Sequence, residues 1–371
     1  CIRDRLEAGD LWRQTDLSKT LRRIANKGPD GFYKGKTAAL IVKEMNANGG
    51  LITLEDLANY EAKKRNPVIG SYRGYEIISM PPPSSGGTAL IEMLNILEGF
   101  DLATSGFGTT ETLYYMTESM RRAYADRARF IGDPDFNTDM PIDRLISKTY
   151  AEQLRKTIDQ NKASKSDANA IVLPKESPET THFTVVDKDR NAVSLTYTLE
   201  YGYGSGIVVP GGGFLLNNEL GDFNAGPGLT NAQGLIGTPA NLAKPGKRML
   251  SSMTPTIVAK DGELFMTVGT PGGRTIINTV MQIILNVVDH SMNAQAAVDA
   301  GRVHHQWLPD VLRYEKQTFS MDSLNGLKSM GHELEVRSNQ GSAEVIIVNR
   351  EADVLEGGVD RRQPDGGIAG Y

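Results

Sequence analysis

The sequence predicts an α+β sandwich with helical layers outside its sheets, and three observations carry that prediction. The first 150 or so residues are written mainly in helical periodicity. From about residue 180 the pattern changes to short alternating segments rich in Thr, Val and Ile, which reads as strands. Between two such strand groups lies "IINTVMQIILNVV" (Ile276–Val288), the most apolar stretch of the chain and too short to span a bilayer, which reads as a buried helix. Paired strands and paired helices in succession fit layered packing.

The elements follow in order. "DLSKTLRRIANKG" has Asp16 or Ser18 as N-cap candidates, an apolar Leu17/Leu21/Ile24 face and a Gly28 stop. "KTAALIVKEMNANGG" repeats that pattern and ends at Gly49-Gly50, and "TLEDLANY" opens on a Thr-x-x-Asp cap at Thr53. Two short strands are expected around Arg73-Gly74, then a loop, "PPPSSGG", then helices over about 88–97 and 110–130. The second of these is apolar at Leu113, Met116, Met120 and Ala123. A polar segment over about 155–179 is the best linker in the chain. Beyond it, strands are expected at 181–187, 192–199, 256–260, 264–269, 333–337 and 343–348, with helices at 275–289 and 293–300.

Composition narrows the function. A net charge of −5 argues against a nucleic-acid scaffold. Cys1 is the single cysteine, so neither an internal disulfide nor a thiolate metal site can form. The five histidines lack zinc-binding spacing, so no metal and no cofactor are expected. The opening residues carry neither an initiator Met nor a signal peptide, and the chain reads as cut from something longer.

The stretch "SPETTHFTVVDKDRNAVSLTYTLE" is a hairpin whose turn is "DKDRN". A loop centred on Asp189 places Thr180 opposite Thr198, and a slip of one residue would place Leu199 there. A cut between Glu179 and Thr180 would give Thr180 a free α-amine. An amino-terminal threonine can use that amine as the general base for its own hydroxyl. The plainer reading is that Thr-Thr favours strands. Other segments add weight to the chemical one. "LLNNELGDF" sets Glu219 and Asp222 three residues apart, "SSMTPT" opens on Ser251-Ser252, and "VGTPGG" is a strand, a glycine turn and a helix start whose N–H groups suit an oxyanion. Taken singly, each of these can also be an acidic edge, a capping pair or a structural bend.

Taken in order, "MPPPSSGG", "TTHFTVVD", "LLNNELGDF", "SSMTPT", "VGTPGG" and "VHHQWLPDVLR", with "GFYKG" near the start, resemble the γ-glutamyltranspeptidase family of N-terminal nucleophile hydrolases over essentially the whole chain. The resemblance implies a four-layer αββα sandwich. Residues 1–179 would be the later part of a large subunit and 180–371 a small catalytic subunit, both interleaved in one sandwich and left as a heterodimer after processing. It implies that Thr180 attacks the carbonyl of Glu179 in an N-to-O acyl shift, frees itself, and then serves as nucleophile with Thr198 orienting it. It assigns Glu200, Glu219 and Asp222 to the donor's α-ammonium, Ser251 and Ser252 to its α-carboxylate, and Gly272 and Gly273 to the oxyanion.

The substrates implied are a γ-glutamyl donor such as glutathione and an amino acid, peptide or water acceptor. The implied location is the periplasm or outside the cell, with no membrane span in this chain. Glu200 stands where many relatives carry Asn, and Gln233 stands where an aromatic gate is common in the lid over 223–247. The family's arginine for the donor carboxylate has no counterpart assignable here. His182 and the His304-His305-Trp307 run read as packing residues, the latter at a domain edge. Rival readings are a glutaryl-cephalosporin-type acylase, a poly-γ-glutamate-cleaving relative, and an uncleaved binding protein of the same fold.

Overall fold

The computed structural model describes Glu7 and residues 9–166, 180–224, 238–363 and 366–370. Two compact units emerge, one of Cys1–Lys64 with Tyr203–Asn218, the other of Arg65–Gly202 with Glu219–Tyr371.

In the first unit, α1 (Thr15–Lys27), α2 (Asp30–Tyr33), α3 (Gly35–Asn48) and α4 (Leu54–Asn59) follow the helical pattern of the sequence. The helix α1 starts earlier than its cap candidates suggested. Thr15 is already helical, so Asp16 lies in the first turn, where its charge meets the positive helix end. Leu21 is exposed, and the inward position of that helix is Thr20, whose hydroxyl donates to the carbonyl of Gly212 at 2.8 Å. The Thr53–Asp56 capping box forms as expected. Ala38, Ile41, Met45 and Leu57 close a small core with Val209.

The second unit carries the strands. β1 (Val68–Tyr72) and β2 (Tyr75–Ser79) form a hairpin whose tip, Arg73 and Gly74, takes positive φ at both residues, as a tight two-residue turn requires. Helices α5 (Gly86–Leu97), α6 (Leu102–Ser105), α7 (Thr110–Phe130), α8 (Ile142–Leu145) and α9 (Lys148–Arg155) follow. Next come the hairpin β3 (Thr181–Val186) and β4 (Ala192–Tyr197), then β5 (Thr256–Lys260), β6 (Glu263–Gly269), α10 (Thr275–Val288) and α11 (Ala294–Asp299). The chain continues through β7 (Val303–His304), β8 (Leu312–Glu315), α12 (Met321–Ser329), β9 (Leu334–Arg337), β10 (Glu344–Asn349) and β11 (Val354–Val359).

Six strands form one antiparallel sheet in the order β1-β2-β5-β6-β10-β11. It therefore joins strands from before and after residue 180. On one face Ile77, Val258, Met266, Val268, Val345 and Ile347 meet α5, α7 and α10 in the main core. Every residue of α5 is buried, because it packs on α7 and α10 as well as on the sheet.

The alternate residues of β6 face the β3–β4 hairpin. Thr184 and Thr267 share a hydroxyl hydrogen bond of 2.6 Å, and Ser194 donates to the carbonyl of Val268 at 3.2 Å. The imidazole of His182 lies flat over Gly269, where a Cβ would come within 2.0 Å of the ring. Helices, large sheet and hairpin are thus stacked in that order, as an α+β sandwich requires.

The histidines pack as expected, although His304 and His305 do so in the interior and not at an edge. Both are fully buried, with Asn278 and Gln306 on His304 and Asp310 on His305. Burial also holds His182 down to about 4, so its ring is neutral.

Candidate functional site

The hairpin register is the one a loop centred on Asp189 dictates. Thr181 pairs with Tyr197 and His182 with Thr196. One step further out, the Thr180 hydroxyl donates to the Thr198 hydroxyl at 3.4 Å. Thr198 Oγ1 also accepts the N–H of Glu200 at 2.8 Å, in a local turn that ends the strand. Glu200 sits at φ 73, a left-handed conformation that costs a non-glycine residue energy and sharply redirects the chain. Its carboxylate ends beside Gly221, where a Cβ would lie 3.4 Å from Oε2.

Gly221 belongs to the 3-10 turn Glu219–Asp222, so Glu200, Glu219 and Asp222 form one cluster. Burial, then the charges of Asp222 and Glu200, push the Glu219 carboxyl up to about 8. Burial raises Asp222 to about 6, against the opposing pull of Arg274 and Arg127. Such a cluster is destabilising on its own and becomes favourable around a cation.

The paired serines are reached through Asn241. Its side chain donates to the carbonyl of Asp222 at 2.8 Å and accepts the N–H of Leu250 at 2.9 Å, which fixes the acidic turn against the serine segment. The "PPPSSGG" loop braces the same segment from the other side. The N–H and hydroxyl of Ser85 both donate to the carbonyl of Ser251, at 2.9 and 2.7 Å. Ser84 donates to the carbonyl of Met253 at 2.7 Å. The loop's glycines are not loose, since Gly86 and Gly87 open α5 and a Cβ on Gly86 would meet the Met253 carbonyl at 2.3 Å.

Ser251 Oγ accepts the N–H of Met253 at 3.1 Å, and Ser252 Oγ accepts from Arg127 Nη2 at 2.9 Å. Each hydroxyl is thereby used as an acceptor, and its own hydrogen has no acceptor among the described residues. Two donors side by side suit a carboxylate.

The glycine pair follows β6. Gly272 has φ 138 and Gly273 φ 58, both in the region that favours glycine, and Thr275 at the start of α10 bonds back to the Gly272 carbonyl through N–H and hydroxyl. The N–H groups of Gly272 and Gly273 have no acceptor among the described residues. Thr180 and Pro271, the residue that precedes the glycine pair, line one cavity of about 310 Å³.

Thr180, Thr198, Glu200 and the acidic turn therefore lie in one connected stretch, and Asp222 feels the charges of Arg274, which follows Gly273, and of Arg127, which donates to Ser252. Glu179 and Gln233 lie outside the described residues. Among the described residues no group of His, Cys, Asp and Glu is arranged to hold a metal ion, and no helix is long and apolar enough to cross a membrane.

Sequence reasoning read the "PPPSSGG" loop, with Ser85, as lining or supporting the site, and missed Arg127, Arg274 and Asn241. A signal was present for Arg127. It follows Met120 and Ala123 on the inward face of α7, where a charge has no place unless it is paired.

The γ-glutamyltranspeptidase family profile matches residues 3–370. The glutathione hydrolase proenzyme of Escherichia coli is 48% identical over 368 residues, covering 99% of this chain and 63% of that protein. The acylase ACY 1 proenzyme of Pseudomonas sp. strain SE83 is 41% identical over 298 residues, covering 80% of this chain and 51% of that protein. The crystal structure of cephalosporin acylase from Bacillus halodurans superposes with a TM-score of 0.84 at 29% identity, over 98% of this chain and 64% of that one. The chain thus spans less than two thirds of the length of these relatives. Its fold is the α+β sandwich of the N-terminal nucleophile hydrolases. With a profile match from end to end and this constellation around Thr180, the chain belongs to the γ-glutamyltranspeptidase family.

Proposed function

We propose that this chain carries the catalytic centre of a γ-glutamyltransferase and hydrolase acting on glutathione-like donors. The observation that carries the reading is the Thr180–Thr198 hydroxyl pair at the mouth of the hairpin, with Thr180 sharing a cavity with Pro271 and the N–H groups of the following Gly272 and Gly273 without an acceptor among the described residues.

The sequence begins with self-cleavage. The Thr180 hydroxyl adds to the Glu179 carbonyl, the C–N bond breaks, and the nitrogen leaves protonated as the new α-amine. Water then hydrolyses the ester. In the cut enzyme the α-amine, with an ordinary pKa of about 8, takes the Oγ proton as Oγ attacks the donor's γ-carbonyl. Gly272 and Gly273 N–H groups receive the developing oxyanion, a contribution of about 3–4 kcal/mol per donor. The proton passes from the α-ammonium to the departing amine, leaving a γ-glutamyl ester on Thr180. Water or an acceptor amine resolves it.

Glu200, Glu219 and Asp222 hold the donor's α-ammonium, and Ser251 and Ser252 its α-carboxylate. The two subunits are 1–179 and 180–371, held as a heterodimer, and the family resemblance favours an exported location. The test is to purify the chain and the Thr180→Ala variant, sequence their amino termini and assay γ-glutamyl-anilide hydrolysis. A new terminus reading Thr-Thr-His-Phe and turnover, both lost in the variant, are expected. An intact, inactive wild-type chain would overturn the proposal.

A second reading has support of its own. The likeness to a cephalosporin acylase and the raised Glu219 and Asp222 carboxyls fit a glutaryl donor, which lacks the ammonium. Turnover of glutaryl-anilide above γ-glutamyl-anilide would favour it.

A further inference from the structure

Arg127 stands at the junction of the two charged ends of the site. Its Nη2 donates to Ser252 Oγ at 2.9 Å and its Nε to Ser85 Oγ at 2.7 Å. Ser85 passes that contact on, donating its own hydrogen to the Ser251 carbonyl at 2.7 Å. The guanidinium is 5.9 Å from the centre of the Tyr124 ring, and the residue is 3% exposed. Its charge also reaches Asp222. One planar cation thus touches both serines, directly or through Ser85, and faces the acidic turn.

A hydroxyl has one hydrogen and two lone pairs. A guanidinium only donates and stays charged at every working pH. Its bond to Ser252 therefore occupies a lone pair of Oγ and leaves the hydrogen to point elsewhere. Without Arg127 the Ser252 hydroxyl could turn and use that hydrogen within the protein.

We propose that Arg127 is a positioning residue for the α-carboxylate of the donor, fixing the Ser252 hydroxyl as a pocket-facing donor and placing a positive charge directly behind it. The inference rests on the reading of this site as a γ-glutamyl pocket. It also supplies, from within this chain, a cation at the carboxylate end, where the sequence alone offered none. Lysine, a point charge on a flexible stem, cannot bond both Ser85 and Ser252 in this geometry.

The test compares two substrates in the full chain. γ-Glutamyl-anilide carries both α-groups, and 4-aminobutyryl-anilide lacks only the carboxylate. Arg127→Gln is expected to raise KM for the first by about tenfold to a hundredfold, the cost of a hydrogen bond to a charged group. Its kcat should stay within about threefold, and KM for 4-aminobutyryl-anilide should rise far less than KM for γ-glutamyl-anilide, its turnover also showing that the variant is folded. Arg127→Lys should recover part of the loss. Since Arg127 acts through Ser252, the Arg127→Gln, Ser252→Ala double variant should be little worse than Ser252→Ala alone.

Equal losses on both substrates, or additive losses in the double variant, would overturn the inference and leave the function standing. If the wild-type chain turns over neither substrate, calorimetry with L-glutamate and with 4-aminobutyrate replaces the kinetics. Selective loss of glutamate binding in Arg127→Gln supports the inference, and a wild-type chain that binds no glutamate removes both it and the function.

Discussion

Glu219 carries a cost that the folded chain bears and that a bound cation would relieve. Its carboxyl is raised from an ordinary 4.5 to about 8, so between those values the folded chain holds a proton that the unfolded chain has lost. Stability contributed by this residue must therefore fall as pH rises through that window. Glu219→Gln should be close to neutral at about pH 5 and stabilising at about pH 9, read as denaturation midpoints of both proteins at both pH values. Donor binding should respond in the opposite sense. An ammonium prefers the ionised carboxylate, so KM for γ-glutamyl-anilide should fall as pH rises from about 6 to about 8. A flat profile in both measurements would show that Glu219 is not buried against its neighbours in solution.

At the same scale, Thr180 and Thr198 were legible because a hairpin's register follows from its turn. Arg127 and Asn241 were not, because their roles arise from contacts across 125 residues in one case and from bonds to two separate segments in the other.

Among the elements, the hairpin's placement depends on one missing side chain. A Cβ on Gly269 would stand 2.0–2.4 Å from three atoms of the His182 ring, and that ring is pinned through Nδ1 to Thr196 at 2.8 Å. Gly269→Ala must therefore lift β3 off the sheet and shift Thr180 from the glycine turn. We expect about 1–3 kcal/mol of destabilisation in urea titration and slower appearance of the Thr180 terminus. Unchanged self-cleavage would mean that the hairpin tolerates displacement.

The elements the sequence concealed share this feature. β11 escaped notice because "VLEGGV" has two glycines where a strand former would be expected. Gly358 is there because a Cβ would meet the Ala294 carbonyl at 2.4 Å. The start of α5 was read as a loop for the same reason, since close backbone approach and flexibility use the same residue. β8 pairs in parallel with β9 through the interval that holds α12, and such a distant partner leaves no local trace. Long segments such as the amphipathic α7 and the apolar-rich α10 were plain from the sequence alone.

Across the whole molecule, the large sheet places β5 against β2 and so joins the chain on either side of residue 180 through five ladder pairs. α5 and α7, from before that point, share their core with α10, from after it. Cleavage before Thr180 should therefore leave a particle that elutes unchanged from gel filtration while showing two bands on a denaturing gel. Separation of the two pieces without denaturant would contradict the shared core. The α+β class was readable from the order of patterns, but the interleaving of the two halves came only from the family resemblance, because antiparallel neighbours this far apart in sequence are chosen by packing.

That strand order also gives the scission a direction in time. The hairpin that carries Thr180 docks on the large sheet through Thr184–Thr267 and Ser194–Val268, so under the proposed self-cleavage, where docking precedes the cut, a cut backbone marks a molecule whose hairpin and sheet have already assembled. Maturation on that proposal would act as an irreversible proofreading step, with unassembled chains left whole.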